Sequence, residues 1–288
     1  PITQMIDSVL VINLLMHGGA TRASATALFG LFVGPVGTLI NMPTVVALSV
    51  AIAFLPAITS AVERGGDPSA ITKNAAKWIM LFVIPVTAAF LLFPDRVCSA
   101  LYSRGLTAEQ LDVAARLLRV QAVSVFYIGA LQLATTVLQG HNSAHKPVIN
   151  LIVGACVKVG LTPLLVRAFG IIGAAGATAA CYAVAATLTV RCASKRMPIG
   201  VSIADAFVKP IACTAFGAGA FVGALALVSM TALPYLWQTI IAASVFLTVY
   251  AAGVILTGAL DVKAAIAHAR ERRALRRGGA ATELPPDN

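Results

Sequence analysis

Long apolar stretches, each of a length that crosses a bilayer as a helix (about 20 residues), recur along nearly all of this 288-residue chain, and Lys, Arg, Gly and Pro gather in the short intervals between them. The pattern predicts spanning helices over Ile2–Met16, Leu39–Ile58, Trp78–Phe93, Leu117–Leu138, Val148–Phe169, Ile171–Val190, Val208–Leu227 and Leu236–Leu256. The first is short, and the sequence opens on Pro1 with no basic segment ahead of the apolar run, so a longer parent chain is expected. The fold class that follows is an all-α membrane protein of about eight transmembrane helices.

Composition strengthens that reading. Hydrophobic residues make up 59% and charged residues 11%, with a mean hydropathy of +0.89, which leaves too little polar surface to face water. The net charge of +10 does not point to nucleic acid, because the basic residues sit at the ends of apolar runs and form no stripe with interleaved aromatics. They follow membrane topology instead. Arg64, Lys73 and Lys77, then Lys146, then Arg191, Lys195, Arg196 and Lys209 fall in alternate loops, which are assigned to the cytoplasm. The tail, with Arg270, Arg272, Arg273, Arg276 and Arg277, joins them, and an amphipathic stretch there suits anionic lipid of the inner leaflet. The opposite loops are poorer in charge except for Asp95–Arg119, which is expected to be a loop holding four arginines and three acids.

Three prolines, Pro35, Pro43 and Pro56, interrupt Ala25–Val62, and a kinked or broken helix is expected there as a candidate cavity wall. Small residues four apart, Gly173 with Ala177, Gly176 with Ala180 and Gly219 with Gly223, predict close helix contacts. The five cysteines have no metal-ligand spacing, and His141 and His145 lack a third ligand nearby, so no metal is expected. No catalytic signature and no cofactor motif is present, which argues against an enzyme.

Charges inside apolar runs carry the most information, because each costs roughly 2.5–3.5 kcal/mol to insert at a helix centre. Asp7 and Lys158 are such charges, at depths where they can pair across the bundle. The pair is read either as an ion-coupling device or as a fixed salt bridge that sets helix register. Arg22, at the outer end of the kinked element, and the polar residues Asn41, Gln132 and Asn150 within spans are the substrate-cavity candidates, with interhelical hydrogen bonding as the structural alternative.

The residues also resemble a family. The run ATALFGLFVGPVGTLINMPTVVALSVAIAFLPAITSAVERGG from Ala25 to Gly66, the opening PITQMIDSVLVINLLM, and VLQGHNSAHKPVINLIVGACVKVG from Val137 to Gly160 are similar to the polysaccharide flippases of the MOP (multidrug/oligosaccharidyl-lipid/polysaccharide) superfamily, in the branch of stage V sporulation protein B. The resemblance implies a MATE-like transporter lobe of six helices over residues 1–194, two additional helices over 195–260 and a basic cytoplasmic tail over 261–288. It also implies a preceding N-terminal lobe, a bacterial plasma membrane location with the C-terminus cytoplasmic, and export of an undecaprenyl-diphosphate-linked sugar or peptidoglycan precursor. By the same resemblance Asp7 matches an acidic sodium-binding position and Lys158 falls near a polar position of that site, where a lysine is a departure. A cation-coupled drug antiporter of the same fold is the rival, disfavoured by the 7% aromatic content, and a non-transporting scaffold is the third reading.

Overall fold

The structure, a computed structural model, describes residues 2–196, 208–230 and 234–258, with side chains from Asp7 onward. Within these the chain forms α1 (Ile2–His17), α2 (Arg22–Leu31), α3 (Gly37–Glu63), α4 (Ser69–Leu92), α5 (Pro94–Tyr102), α6 (Ala108–Gly140), α7 (His145–Phe169), α8 (Ile171–Arg196), α9 (Lys209–Val228) and α10 (Tyr235–Leu256). Seven helical elements are long and apolar enough to cross a membrane, α2 and α3 counting as one, and the shorter α1 is the eighth apolar helix. Each expected span matches one of them, overrunning it by at most one residue, at Phe93 and at Val208. The basic tail over 261–288, with Arg270, Arg272, Arg273, Arg276 and Arg277, lies outside the described residues.

The stretch Ala25–Val62 is not broken. Helix runs from Arg22 to Glu63, and the disturbance at Pro35 is absorbed by one π-helical turn, Phe32–Val36. The reason is local: Pro35 has no amide hydrogen to give the carbonyl four residues back, and its ring crowds that turn, so inserting one residue into the turn relieves both problems. Pro43 and Pro56 are carried within α3 without a second change of helix type.

Asp95–Arg119 is likewise not a loop. It contains α5 and the first turns of α6, which starts behind a capping box in which Thr107 accepts from the Gln110 amide and Gln110 returns a carbonyl oxygen to the Thr107 amide. Four arginines are tolerable here because most have a partner: Arg116 meets Asp112 at 2.7 Å, Arg119 meets Asp95 at 3.1 Å, and the Arg96 guanidinium lies 4.2 Å from the Tyr235 ring centroid. At the start of α4, Asp67 Oδ1 accepts from both the amide and the hydroxyl of Ser69, which holds its carboxyl below the usual carboxylate value.

The hub is α6. In its most apolar window 61% of residues are buried, against 11% for α7 and 17% for Arg22–Glu63, and it packs on α3, α4 and α8 together. Glycines set the approach. A Cβ at Gly129 would stand 2.8 Å from Val83 of α4, and one at Gly140 would stand 2.5 Å from Ile58 of α3. Gly173 sits under the backbone of Leu165, where any Cβ would overlap the carbonyl, so α7 and α8 fold as a tight hairpin through Gly170 (φ 61°).

The expected close contact at Gly219 and Gly223 is absent, since a Cβ on either meets nothing within 4 Å. The α9–α10 hairpin closes instead on Gly217, against Phe246, and on Gly253, against Cys213. The hairpin docks on α4 and α5. Phe221 packs on Phe93 with ring centroids 4.1 Å apart, and the Tyr250 hydroxyl donates to the Leu81 carbonyl at 2.6 Å. Leu81 is four residues before Pro85, whose missing amide would otherwise have been the donor to that carbonyl.

Candidate ion-coupling site

Asp7 and Lys158 meet. Lys158 Nζ lies 2.5 Å from Asp7 Oδ2, with the side chains only 16% and 14% exposed respectively. Lys158 is at the midpoint of α7 and Asp7 is in the first half of α1, so the contact joins two apolar helices away from their ends.

The surroundings explain why the ammonium points there. One turn before Lys158, Gly154 brings α7 so near α8 that a Cβ would stand 2.7 Å from the Cys181 carbonyl. That face is closed to a long side chain. One turn after it, the Thr162 hydroxyl donates to the Lys158 carbonyl at 2.7 Å. Cys181 and Tyr182 of α8 lie within electrostatic reach of Asp7. A lone carboxylate or ammonium in this setting would be an uncompensated buried charge, and together they are neutral.

The elements bearing the pair are not held equally. α7 is bound to α8 along its length, whereas α1 touches α2 and α7, grazes α8, and buries only Val11 and Leu15 among its described side chains.

The other candidates do not converge on one point. Arg22 is the exposed first residue of α2, and Asn41 is exposed on α3; they stand nineteen positions apart on one helical path, about 28 Å at 1.5 Å per residue. Gln132 is half-buried on α6. Asn150 is engaged in packing, its amide donating to Thr189 Oγ1 at 3.2 Å and facing Cys192 Sγ at 3.8 Å across α7 and α8. His141 bonds through Nδ1 to the Val137 carbonyl of its own helix, and the described residues contain no group of three or more His, Cys, Asp or Glu near enough to share a metal.

Two features go beyond the sequence reading. Gln121 and Ser124, on neighbouring turns of α6, are buried with side-chain oxygens that have no hydrogen-bond partner among the described residues. The composition of α6 flags Gln121, but not Ser124. A groove of about 380 Å³ also runs along α10 past Trp237, Ile241, Val245 and Thr248, on the side opposite the packed residues Thr239, Ala242, Phe246 and Tyr250. It is visible in sequence only as a continuous apolar face.

A compact helical body with a neutral ion pair between apolar helices defines a polytopic, all-helical membrane protein, and the arrangement has a solved counterpart. The fold superimposes on a lipid II flippase MurJ in its inward closed conformation with a TM-score of 0.70, at 14% sequence identity, over 88% of this chain and 51% of that one. Stage V sporulation protein B of Bacillus subtilis (strain 168) is 26% identical over 203 residues, covering 69% of this chain and 38% of the relative. The family model described as "Lipid II flippase MurJ" matches residues 38–265, and the chain belongs to that family. It spans about half or less of the length of both relatives.

Proposed function

We propose that the chain is the second lobe, with two additional helices, of a flippase that moves an undecaprenyl-diphosphate-linked oligosaccharide or peptidoglycan precursor across the bacterial plasma membrane by alternating access. The observation that carries this reading is the Asp7–Lys158 pair, which ties the lightly packed α1 to α7 inside the apolar span. Neutralising either charge, or pulling the two apart, removes the specific attraction between those helices, so the pair biases one arrangement of the lobe over another. Family membership supports the substrate class. The apolar groove on α10 suits a polyprenyl chain, and the exposed apolar faces of α3 and α7 suit a preceding lobe.

The orientation that accords with this role has the C-terminus in the cytoplasm, on the side of Arg64, Lys146 and Arg191. Arg22 would then lie at the outer end of the cavity wall, where a guanidinium can grip a diphosphate. A drug antiporter of the same fold is disfavoured by the 7% aromatic content, since apolar cations favour aromatic walls.

The test is flipping of a fluorescent lipid-linked precursor by the full chain in liposomes, comparing wild type with Asp7→Asn, Lys158→Met and the double variant. Loss of flipping in the double variant, with folding retained, is expected. Near-normal flipping in the double variant reduces the pair to a register-setting contact.

A further inference from the structure

We propose that Lys158 is a tethered cation: its ammonium fills the monovalent-cation site that the Asp7 carboxylate would otherwise create, so the protein binds no free sodium there and works without a sodium gradient. This rests on the reading of the pair as the moving tie between α1 and α7.

The argument begins with charge. Asp7 and Lys158 sum to zero, and both are about six-sevenths buried among apolar helices. Adding a free alkali ion gives the pair a net positive charge in a low dielectric, where each desolvated ion is costly, and among the described residues Asp7 is the only acid that Lys158 meets in a salt bridge. Sterics agree. At 2.5 Å the ammonium is in direct contact with Oδ2, one of the two carboxylate oxygens that a metal ion could use.

A hard cation gathers oxygen ligands, a carboxylate first among them. What the site does offer, once the ammonium is gone, is a buried carboxylate that must find a positive charge. Lys158 is therefore the residue that determines ion specificity: with it the counter-charge is covalently attached, and without it the counter-charge must come from solution.

The test measures ion binding directly, on the full chain purified in detergent in sodium-free N-methylglucamine buffer, using radioactive sodium. Wild type and Lys158→Arg are expected to bind none above background. Lys158→Met is expected to gain saturable sodium binding and a sodium-dependent rise in melting temperature, and both gains should vanish in the Asp7→Asn, Lys158→Met double variant. In liposomes, wild type is expected to flip equally well in sodium-only and potassium-only buffer.

Saturable sodium binding by wild type that Asp7→Asn abolishes overturns the proposal, as does a folded Lys158→Met that binds no sodium. Should Lys158→Met fail to purify as a single species, the wild-type binding measurement and its Asp7→Asn control still decide. Absence of flipping under every ionic condition would strike the transport reading while leaving the binding result intact.

Discussion

The Tyr250 hydroxyl supplies the hydrogen bond that Pro85 withholds from Leu81, and this makes the energetic role of one tyrosine depend on a proline in another helix. Tyr250→Phe removes the donor and leaves a buried carbonyl oxygen that Pro85 cannot satisfy. An ordinary buried hydrogen bond contributes about 0.5–1.5 kcal/mol net, and orphaning a buried acceptor raises the loss to about 1–3 kcal/mol. Hydrogen bonds between membrane helices fall at the lower end of such values, so a loss of about 1–2 kcal/mol is expected. By the scaling for soluble domains that is a fall in melting temperature of roughly 2–6 °C.

The contact dependence gives the sharper test. Pro85→Ala restores an amide four residues after Leu81, so the carbonyl gains an intrahelical donor and Tyr250→Phe should then cost little. Thermal unfolding in one detergent of wild type, Pro85→Ala, Tyr250→Phe and the double variant forms a complete cycle, in which any void left by the proline ring cancels. A coupling of about 1 kcal/mol is expected. If Tyr250→Phe destabilises both backgrounds equally, the hydroxyl's contribution does not depend on the donor that Pro85 lacks, and the reasoning fails.

Gly173→Ala should lower the melting temperature by several degrees, because its Cβ meets the backbone of Leu165, which cannot turn aside, and overpacking of this kind costs typically 1–3 kcal/mol. Gly219→Ala, with open space around the new methyl group, should be neutral or stabilising by up to about 1 kcal/mol, and equal losses at the two sites would contradict the packing described. The Asp67 carboxyl titrates below its ordinary value of 3.8 when folded, so its hydrogen bonds to Ser69 are fully present above 3.8 and disappear as pH falls through the depressed folded value. Asp67→Asn should abolish that acid-dependent step in exchange protection of the Ser69 amide, and an unchanged profile would show that another group controls it.

The spans were legible in the sequence because a bilayer imposes one coarse requirement, length of apolar helix, that needs no tertiary information. The charged intervals were harder. Asp95–Arg119 resembles a loop because hydropathy ends where the bilayer ends, yet α6 continues past that boundary on the strength of its capping box and its ion pairs. Asp7 and Lys158 could be paired from sequence since each is expensive alone and few alternatives exist within the apolar runs. Tyr250 and Leu81 could not be: they are 169 positions apart, and neither is unusual in a membrane helix. The glycine error is of a different kind. A four-residue spacing identifies a smooth helix face without saying what lies opposite it, and on α9 the face that meets α10 carries Gly217, two positions and about 200° round the helix from Gly219.

Where this bundle can move follows from how its helices are held. Lipid chains are as apolar as leucine, so burying an aliphatic side chain between helices adds packing but little hydrophobic drive, and specific ties gain weight accordingly. α3 and α4 close on α6 through glycines that fix the approach at Gly140 and Gly129, while α9 and α10 are latched to α4 through Tyr250. α1 is held more lightly. It buries Val11 and Leu15, packs Ile12, Leu14 and Met16 at the edge of the core, and meets α7 through the ammonium–carboxylate contact, so the charge that answers Asp7 bears on the position of a lightly packed helix. A device that changes that charge therefore acts on a lightly constrained coordinate of the body, where a difference of a few kcal/mol suffices to exchange one arrangement for another.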